Sequence, residues 1–272
     1  MPKTKVLITV TTYPLPSNKY QELVCTAGLL ESGEWIRIYP IPLSILISNR
    51  FRKYHWVELD LVKKTANKDF RPESYNPVNT NLSDLKILSK VDTKNKWAER
   101  KSYCLNNVYT SLTHLIEESY EENKFTSLAT YKPREILDFV IEEDDREWKK
   151  AWKEQMKQLC MFTGDDFERI DIKKVPYKFS YRFIDEDGTK RKIMVEDWEI
   201  GQLYWNCLRN ADGDEKKALK KVREKCWDEL VLKCDLHFFL GTTLKWHRMR
   251  GKNPFVIIGL FYPRKEEQLR LF

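Results

Sequence analysis

Alternating apolar and polar positions predict several short strands in the first 90 residues of the chain. Residues 5–12 alternate in this way, and so do residues 56–62, with the sequence Trp-Val-Glu-Leu-Asp-Leu-Val. Two apolar runs, 23–30 and 35–40, flank a Glu-Ser-Gly-Glu turn and predict a hairpin. A further short strand is predicted at 85–88, and the Asn-, Pro- and Ser-rich stretch 67–82 is predicted to be a loop. Together these elements predict a small β-barrel-like or curled-sheet domain over residues 1–92.

The apolar spacing changes to a helical period in the middle of the chain. Over residues 97–122, Leu105, Val108, Leu112 and Leu115 recur at helical spacing, and over 145–162 apolar residues recur every four positions. Between these stretches, residues 136–141 (Ile-Leu-Asp-Phe-Val-Ile) look like a strand. The pattern predicts a mainly helical region over residues 93–165.

The last third combines both periods. The turn Asp-Glu-Asp-Gly at 185–188 joins two alternating runs and predicts a hairpin. Asp197 is placed to cap one helix, and Asp214 to cap a second that continues to about residue 231. Residues 237–241 and 255–261 are apolar runs typical of buried strands. We therefore predict an α+β domain over 166–272, built as β-hairpin, helix, helix and two strands, and an α+β fold class for the chain.

Length and composition narrow the class of protein. A chain of 272 residues with 42% apolar residues can bury one large core or two modest ones, so disorder is not expected. The most apolar run, 255–262, is too short to span a bilayer, and the N-terminus alternates like a strand instead of a signal peptide, so no membrane association is expected. The six cysteines form no Cys-x-x-Cys pair, which favours reduced thiols in a cytoplasmic protein over a zinc site.

Net charge points to an anionic partner. The chain carries +7, and residues 175–265 hold 19 Lys and Arg against 13 Asp and Glu, so nearly all the excess lies in the last third. Net charge informs on partners and not on fold. Basic side chains interleaved with aromatic ones are the combination that binds nucleic acid.

The first basic segment is residues 245–252, Lys-Trp-His-Arg-Met-Arg-Gly-Lys, which we call the basic loop. No acidic residue occurs between Asp235 and Lys265, and the loop joins two predicted buried strands, so it must reach the surface. Arginine and lysine there suit phosphate contact, and a tryptophan can stack on a base. The alternative is an ordinary basic turn. The predicted nucleic-acid-binding residues of this loop are Lys245, Trp246, His247, Arg248, Arg250 and Lys252.

Two other basic segments are candidates for the same surface. Residues 35–56 also lack acids, and the turn containing Arg50, Arg52, Lys53 and Tyr54 is predicted to be exposed. The aromatic residues of the flanking strands are better explained as core. The helix from Asp214 carries Lys216, Lys220 and Arg223 on its polar face, for which a solvated face is the alternative. The sequence thus predicts a DNA- or RNA-binding protein with little sequence readout.

Two functions from other classes remain open. Asp171 and Lys173 form an Asp-x-Lys element of the kind that Mg²⁺-dependent nucleases use, and Asp197 and Glu199 are a second candidate acid pair, although helix capping also explains Asp197. The acidic segments 117–122 and 142–147 could instead dock a basic protein partner, as in an adaptor. No glycine-rich phosphate loop, dinucleotide fingerprint or paired metal spacing occurs, so no cofactor and no metal are predicted.

Overall fold

The structure, a computed structural model, describes residues 3–12, 23–42, 52–79, 81–148 and 173–265. Strands and helices are mixed, which confirms the predicted α+β class. A seven-stranded N-terminal sheet is curled into a half-barrel, as the alternating pattern of the first 90 residues predicted. Its strands are β1 (Thr4–Thr11), β2 (Leu23–Leu29), β3 (Trp35–Pro42), β4 (His55–Leu59), β5 (Leu61–Lys63), β6 (Ser74–Pro77) and β7 (Lys86–Lys90), in the spatial order β5-β6-β3-β2-β1-β4-β7.

Strand β1 is buried on both faces of this sheet. Its side chains enter two separate apolar clusters. Val6 and Ile8 belong to the first cluster, and Leu7 and Val10 belong to the second. A register shift between Ile8 and Val10, where β1 pairs with β2, accompanies this arrangement. The six positions from 6 to 11 are therefore all buried, as is typical of strands covered on two sides.

The prediction of an uninterrupted loop over 67–82 is wrong, because β6 lies within it. This strand pairs in parallel with β3 and antiparallel with β5. Its sequence, Ser-Tyr-Asn-Pro, contains no apolar alternation that could have revealed it. Pairing with two neighbouring strands, and not intrinsic strand propensity, decides its conformation.

The predicted helical stretch over 97–122 forms two helices separated by a short strand. These elements are α1 (Lys94–Cys104), β8 (Val108–Tyr109) and α2 (Leu112–Tyr120). The hydroxyl of Ser111 caps α2 by accepting a hydrogen bond from the backbone N–H of His114. Two strands follow, β9 (Leu128–Tyr131) and β10 (Glu135–Glu143), and the second confirms the predicted strand. The helix predicted over 145–162 lies almost wholly outside the described residues.

The hairpin and the two capped helices of the last third are confirmed. The hairpin is β11 (Tyr177–Ile184) with β12 (Lys190–Met194), and β10 completes a three-stranded sheet on the other side of β11. Helix α3 (Trp198–Asn210) begins after Asp197, whose carboxylate accepts from the N–H of Glu199. Helix α4 (Glu215–Arg223) begins after Asp214, whose carboxylate accepts from the N–H of Lys217. A π-helical turn (Glu224–Glu229) and α5 (Leu230–Lys233) continue it, close to the predicted end.

The two predicted buried strands lie in a four-stranded sheet that joins the halves of the chain. They are β13 (His237–Thr242) and β14 (Phe255–Phe261), joined through the short helix α6 (Leu244–Arg248), in the order β14-β13-β9-β8. Leu7 and Val10 of β1 share one apolar cluster with Phe239 and Phe261 of this sheet. At Gly259, a β-carbon would lie 3.1 Å from both the Val10 and Phe239 side chains, so the glycine permits the close approach. Of the helices that the structure describes, none is long and apolar enough to cross a membrane.

Candidate nucleic-acid interface

The basic loop lies on the surface, as the sequence predicted. Helix α6 begins directly after β13 and presents Lys245, Trp246 and Arg248 to solvent. Trp246 is 52% exposed, and the neighbouring Met249 is 61% exposed, whereas most large apolar side chains among the described residues are buried. Arg250 and Lys252 are exposed on the return to β14. The loop thus combines an accessible aromatic ring with four cationic side chains.

Two arginines of this loop already have structural partners. The guanidinium of Arg248 donates to the carbonyl oxygen of Lys68 at 2.7 Å. That of Arg250 lies 5.7 Å from the centre of the Tyr120 ring, and the Tyr120 hydroxyl in turn donates to the carbonyl oxygen of Gly251 at 2.7 Å. The loop is therefore fastened to the N-terminal half on one side and to the end of α2 on the other.

The lysines of the loop differ from its arginines. Within the described part of the chain, Lys245 and Lys252 have no ion-pair or hydrogen-bond partner for their ammonium groups. A cation without a protein partner keeps its full capacity to neutralise a phosphate. These two side chains are the cations of the loop most available to an anionic ligand.

The prediction that His247 contributes to the surface is wrong. Its side chain is 1% exposed and lies between the rings of Phe70 and Tyr120, at centroid distances of 4.8 and 5.5 Å. Its Nε2 donates to the carbonyl oxygen of Ser119 at 2.5 Å, which leaves Nδ1 to accept from the hydroxyl of Thr242 at 3.1 Å. Burial lowers the pKa of His247, so the imidazole is a neutral anchor for the loop.

The second candidate segment is largely internal, so the predicted exposure of Lys53 and Tyr54 is wrong. The Lys53 side chain is 9% exposed; its Nζ lies 3.2 Å from the carboxylate of Asp197 and 2.9 Å from that of Glu199. The ring of Tyr54 is covered by the guanidinium of Arg100 at 3.7 Å. Arg52 is exposed as predicted. Arg50 lies outside the described residues.

Lys53, Asp197 and Glu199 form an ion cluster that joins the N-terminal sheet to the start of α3, with Asp197 buried, Lys53 largely buried and Glu199 half-exposed. Burial alone would lower the pKa of Lys53, but the two carboxylates raise it above its ordinary value and hold the ammonium charged. Burial raises the pKa of Asp197 to about 6; the charge of Lys53 opposes this rise and that of Glu199 adds to it. The cluster carries one excess negative charge when both carboxylates are ionised.

The structure places the predicted nuclease residues as follows. Asp197 and Glu199 come together, but with Lys53 between them and with Asp197 also capping α3. Lys173 is exposed, and Asp171 lies outside the described residues. Within the described ranges, no three His, Cys, Asp or Glu side chains are grouped to hold a metal ion.

Helix α4 presents a basic face to solvent, as predicted. Lys216 and Lys220 are exposed and have no partner among the described side chains, whereas Lys217 and Lys221 pair with Asp214 and Glu224. Arg223 is paired within the chain. Its guanidinium donates to the carbonyl oxygen of Phe139 and lies 2.9 Å from the carboxylate of Asp138. Among the described cations of this face, Lys216 and Lys220 are the ones that form no ion pair.

The acidic segments that suggested an adaptor are partly paired within the chain. Glu118 accepts from the Tyr109 hydroxyl at 2.6 Å and also pairs with Lys124. In the second segment, Glu142 pairs with Lys192, and Asp144 pairs with two lysines, Lys174 and Lys178. Several of these carboxylates thus contribute to the sheet and its flanking turns.

A buried polar network, which no pattern in the sequence indicated, lies behind the basic loop. Arg37 of β3 is 3% exposed and donates to Ser127 Oγ at 2.7 Å and to the Ser127 carbonyl oxygen at 3.0 Å. Arg71 forms a two-pronged ion pair with Asp69 and donates to the carbonyl oxygen of Thr242 at 2.7 Å. Because Thr242 also bonds His247, this network ties the N-terminal sheet to the base of the loop. Apolar periodicity carries no signal for such pairs.

Comparison with known families divides the chain at about residue 107. Residues 2–106 match a family described as Domain of unknown function (DUF8758), and residues 108–272 match one described as Domain of unknown function (DUF8757). The matches meet between α1 and β8, whereas the boundaries predicted near residues 92 and 165 stay predictions. No curated protein matches the chain. Because the second match covers more than half of the 272 residues, the chain belongs to the DUF8757 family.

Proposed function

We propose that this protein binds nucleic acid through the basic loop, with its affinity drawn from phosphate contacts and with little sequence readout. The observation that carries the proposal is an exposed tryptophan, Trp246, on a short helix flanked by the unpaired cations Lys245 and Lys252. An exposed ring of this size offers a face on which any base can stack. The cations beside it neutralise the backbone that such a base belongs to.

The contacts that anchor the basic loop support the same function. A binding surface gains affinity when its side chains are held in place before the ligand arrives, since less ordering remains to be done. Here the buried His247 and the carbonyl contacts of Arg248 fix the loop from below. Lys216 and Lys220 of α4, together with Arg52, are exposed cations that could extend the phosphate contacts.

Replacing both Lys245 and Lys252 with alanine should weaken binding to a single-stranded oligonucleotide by about tenfold or more at low salt. Each lost contact between a lysine and a phosphate is worth roughly 1 kcal/mol or more. The slope of log K against log salt should become shallower by about 1.8, or about 0.9 for each lost contact on duplex DNA, and by slightly less on a single strand. Fluorescence anisotropy at several salt concentrations measures both quantities.

The matched control is the double replacement of Lys86 and Lys90 in the exposed strand β7, which removes the same charge elsewhere. If both variants lose equal affinity, net charge and not the loop governs binding. If the Lys245→Ala and Lys252→Ala variant binds like the wild type, with the same salt slope, the proposed function fails. The separate replacement Trp246→Ala should also lower the affinity relative to the wild type. It should change the slope of log K against log salt little, because stacking involves no counterion release.

We also propose a cytoplasmic location, which the cysteines support. The five cysteines within the described residues, Cys25, Cys104, Cys207, Cys226 and Cys234, are all free thiols. Disulfides are rare in reducing compartments, where free thiols persist. Isolation of the native protein with a disulfide would contradict this location.

In the folded protein, Cys104 and Cys226 should resist alkylation while denaturation makes them reactive. Burial raises the pKa of each of these thiols to about 12, and the thiolate is the reactive form. Cys25 and Cys207, which are partly exposed, should label first and serve as internal controls. Peptide mass spectrometry after timed iodoacetamide treatment gives the order. Early labelling of Cys104 or Cys226 would contradict the packing described for them.

A further inference from the structure

A cavity of about 540 Å³ lies at the seam between the two matched segments of the chain. The turn between β2 and β3 forms one side, β6 a second, and the end of α1 with strand β9 the remainder. This volume falls in the range of sites that bind small organic ligands, and sites between domains are common. The contacts already described for the basic loop do not use it.

Aromatic side chains form much of the cavity wall. They are Trp35, Tyr75, Tyr103 and Tyr109. Three of them are held by neighbours outside the cavity: Trp35 packs edge-on against Phe239 at 5.2 Å, Tyr103 against Trp56 at 5.2 Å, and Tyr109 donates its hydroxyl to Glu118 at 2.6 Å. Fixed rings around a space of this size favour a flat, aromatic ligand.

Hydrogen-bonding groups in the wall remain available to a ligand. Within the described part of the chain, the amides of Asn106 and Asn107 make no hydrogen bond, although both residues line the cavity. The backbone of Gly33 has a φ of +86°, and a β-carbon there would lie 2.5 Å from Nδ2 of Asn106. Glycine at this turn therefore leaves room for the amide. Asparagine amides both donate and accept, as the edge of a nucleobase requires.

The charges in the wall favour an amino group over a phosphate. The acidic lining residues are Glu34 and Glu73 and the basic one is Lys63, so the lining itself carries one net negative charge, which the buried Arg37 beside Glu73 offsets in part. The carboxylate of Glu73 is fixed by the N–H and the hydroxyl of Ser127, at 2.9 and 2.8 Å, and its remaining lone pairs are free to accept. Carboxylates accept hydrogen bonds from exocyclic amino groups, such as that of cytosine.

From these features we infer that the cavity binds a nucleobase that bears an amino group, with its phosphate kept outside. The base can come from two sources: a free nucleoside, or a nucleotide extruded from a bound strand. The second source rests on the proposed function. Arg248 of the basic loop contacts Lys68, and Glu73 lines the cavity. Lys68 and Glu73 are five residues apart, and five residues of extended chain span at most about 18 Å. One nucleic-acid strand can therefore reach both the basic loop and the cavity.

The first experiment is calorimetric titration of the full chain with adenosine, cytidine, guanosine and uridine, none of which carries a phosphate. Saturable one-to-one binding of the amino-bearing nucleosides is expected, with uridine at least about tenfold weaker because its base lacks the amino donor. The Asn106→Ala and Asn107→Ala double variant should bind about tenfold more weakly or worse. Both residues are exposed, so its melting temperature should match that of the wild type. Asn210→Ala, at an exposed asparagine outside the cavity, is the matched control.

The second experiment tests extrusion with a single-stranded oligonucleotide that carries 2-aminopurine, whose emission rises when it leaves the stack. A rise that the wild type and Asn210→Ala share, and that the double asparagine variant lacks, assigns the base to a bound strand. Nucleoside binding without this rise assigns it to a free ligand. Absence of both signals, or signals unchanged in the double variant, overturns the inference. Failure of the proposed function is seen separately, as unchanged oligonucleotide affinity in the Lys245→Ala and Lys252→Ala variant.

Discussion

Replacing Arg37 with alanine is expected to lower the free energy of unfolding by about 3–5 kcal/mol. The guanidinium is 3% exposed and donates to Ser127 Oγ, the Ser127 carbonyl oxygen and Ser74 Oγ at 2.7, 3.0 and 3.3 Å. Alanine removes three buried hydrogen bonds and leaves the Ser127 carbonyl oxygen with only the N–H of Thr242. It also removes the positive charge that faces Glu73 and creates a cavity. Urea unfolding followed by circular dichroism measures the loss.

The control for this variant is Arg134→Ala, at an exposed arginine, for which a change within about 0.5 kcal/mol is expected. A loss for Arg37→Ala no larger than that of the control would mean that water replaces the guanidinium at no cost. The network between β3 and Ser127 would then have no part in holding the halves of the chain together.

Replacing Lys53 with methionine should destabilise the protein by about 3–5 kcal/mol at pH 8 and by much less near pH 4. Methionine retains most of the volume but leaves the carboxylate of Asp197 buried beside that of Glu199 without a cation. A buried, unpaired carboxylate is costly only while it is ionised. The deficit must therefore depend on pH.

The sign of that dependence follows from the pKa of Asp197, which burial raises from 3.8 to about 6. A raised folded-state pKa gives a stabilisation that is present below the unfolded value and is lost as pH rises through the folded value. Without Lys53 the pKa of Asp197 rises further, so the variant loses more stability than the wild type between about pH 4 and pH 8.

Denaturant midpoints for the wild type and the Lys53→Met variant, measured across that range, give the difference directly. Lys190→Met, at an exposed lysine of β12, serves as the matched control and should track the wild type at every pH. A deficit that stays constant from pH 4 to pH 8 would show that lost packing, and not an uncompensated carboxylate, explains the effect.

Local signals in the sequence determined most of the elements. The turn at 185–188, the caps Asp197 and Asp214, and the apolar runs of β13 and β14 are each encoded within about ten residues, and the structure confirms all of them. The exposure of the basic loop also followed, because a charged segment between two buried strands has nowhere else to go. Strand β6 was not predicted, because pairing with its neighbours in the sheet, and not its own residues, makes it a strand.

The tertiary structure alone decided which polar side chains are buried and what they meet. Three hydrogen bonds join residues that are far apart in the sequence. The pair Lys53 and Asp197 is separated by 144 residues, His247 and Ser119 by 128 residues, and Arg37 and Ser127 by 90 residues. A charged side chain looks the same in sequence whether it meets solvent or a distant partner. The sequence thus determined most of the strands and helices and the basic character of the loop. Only the folded chain decided which cations remain free for a ligand, because desolvation and pairing depend on contacts that the fold creates.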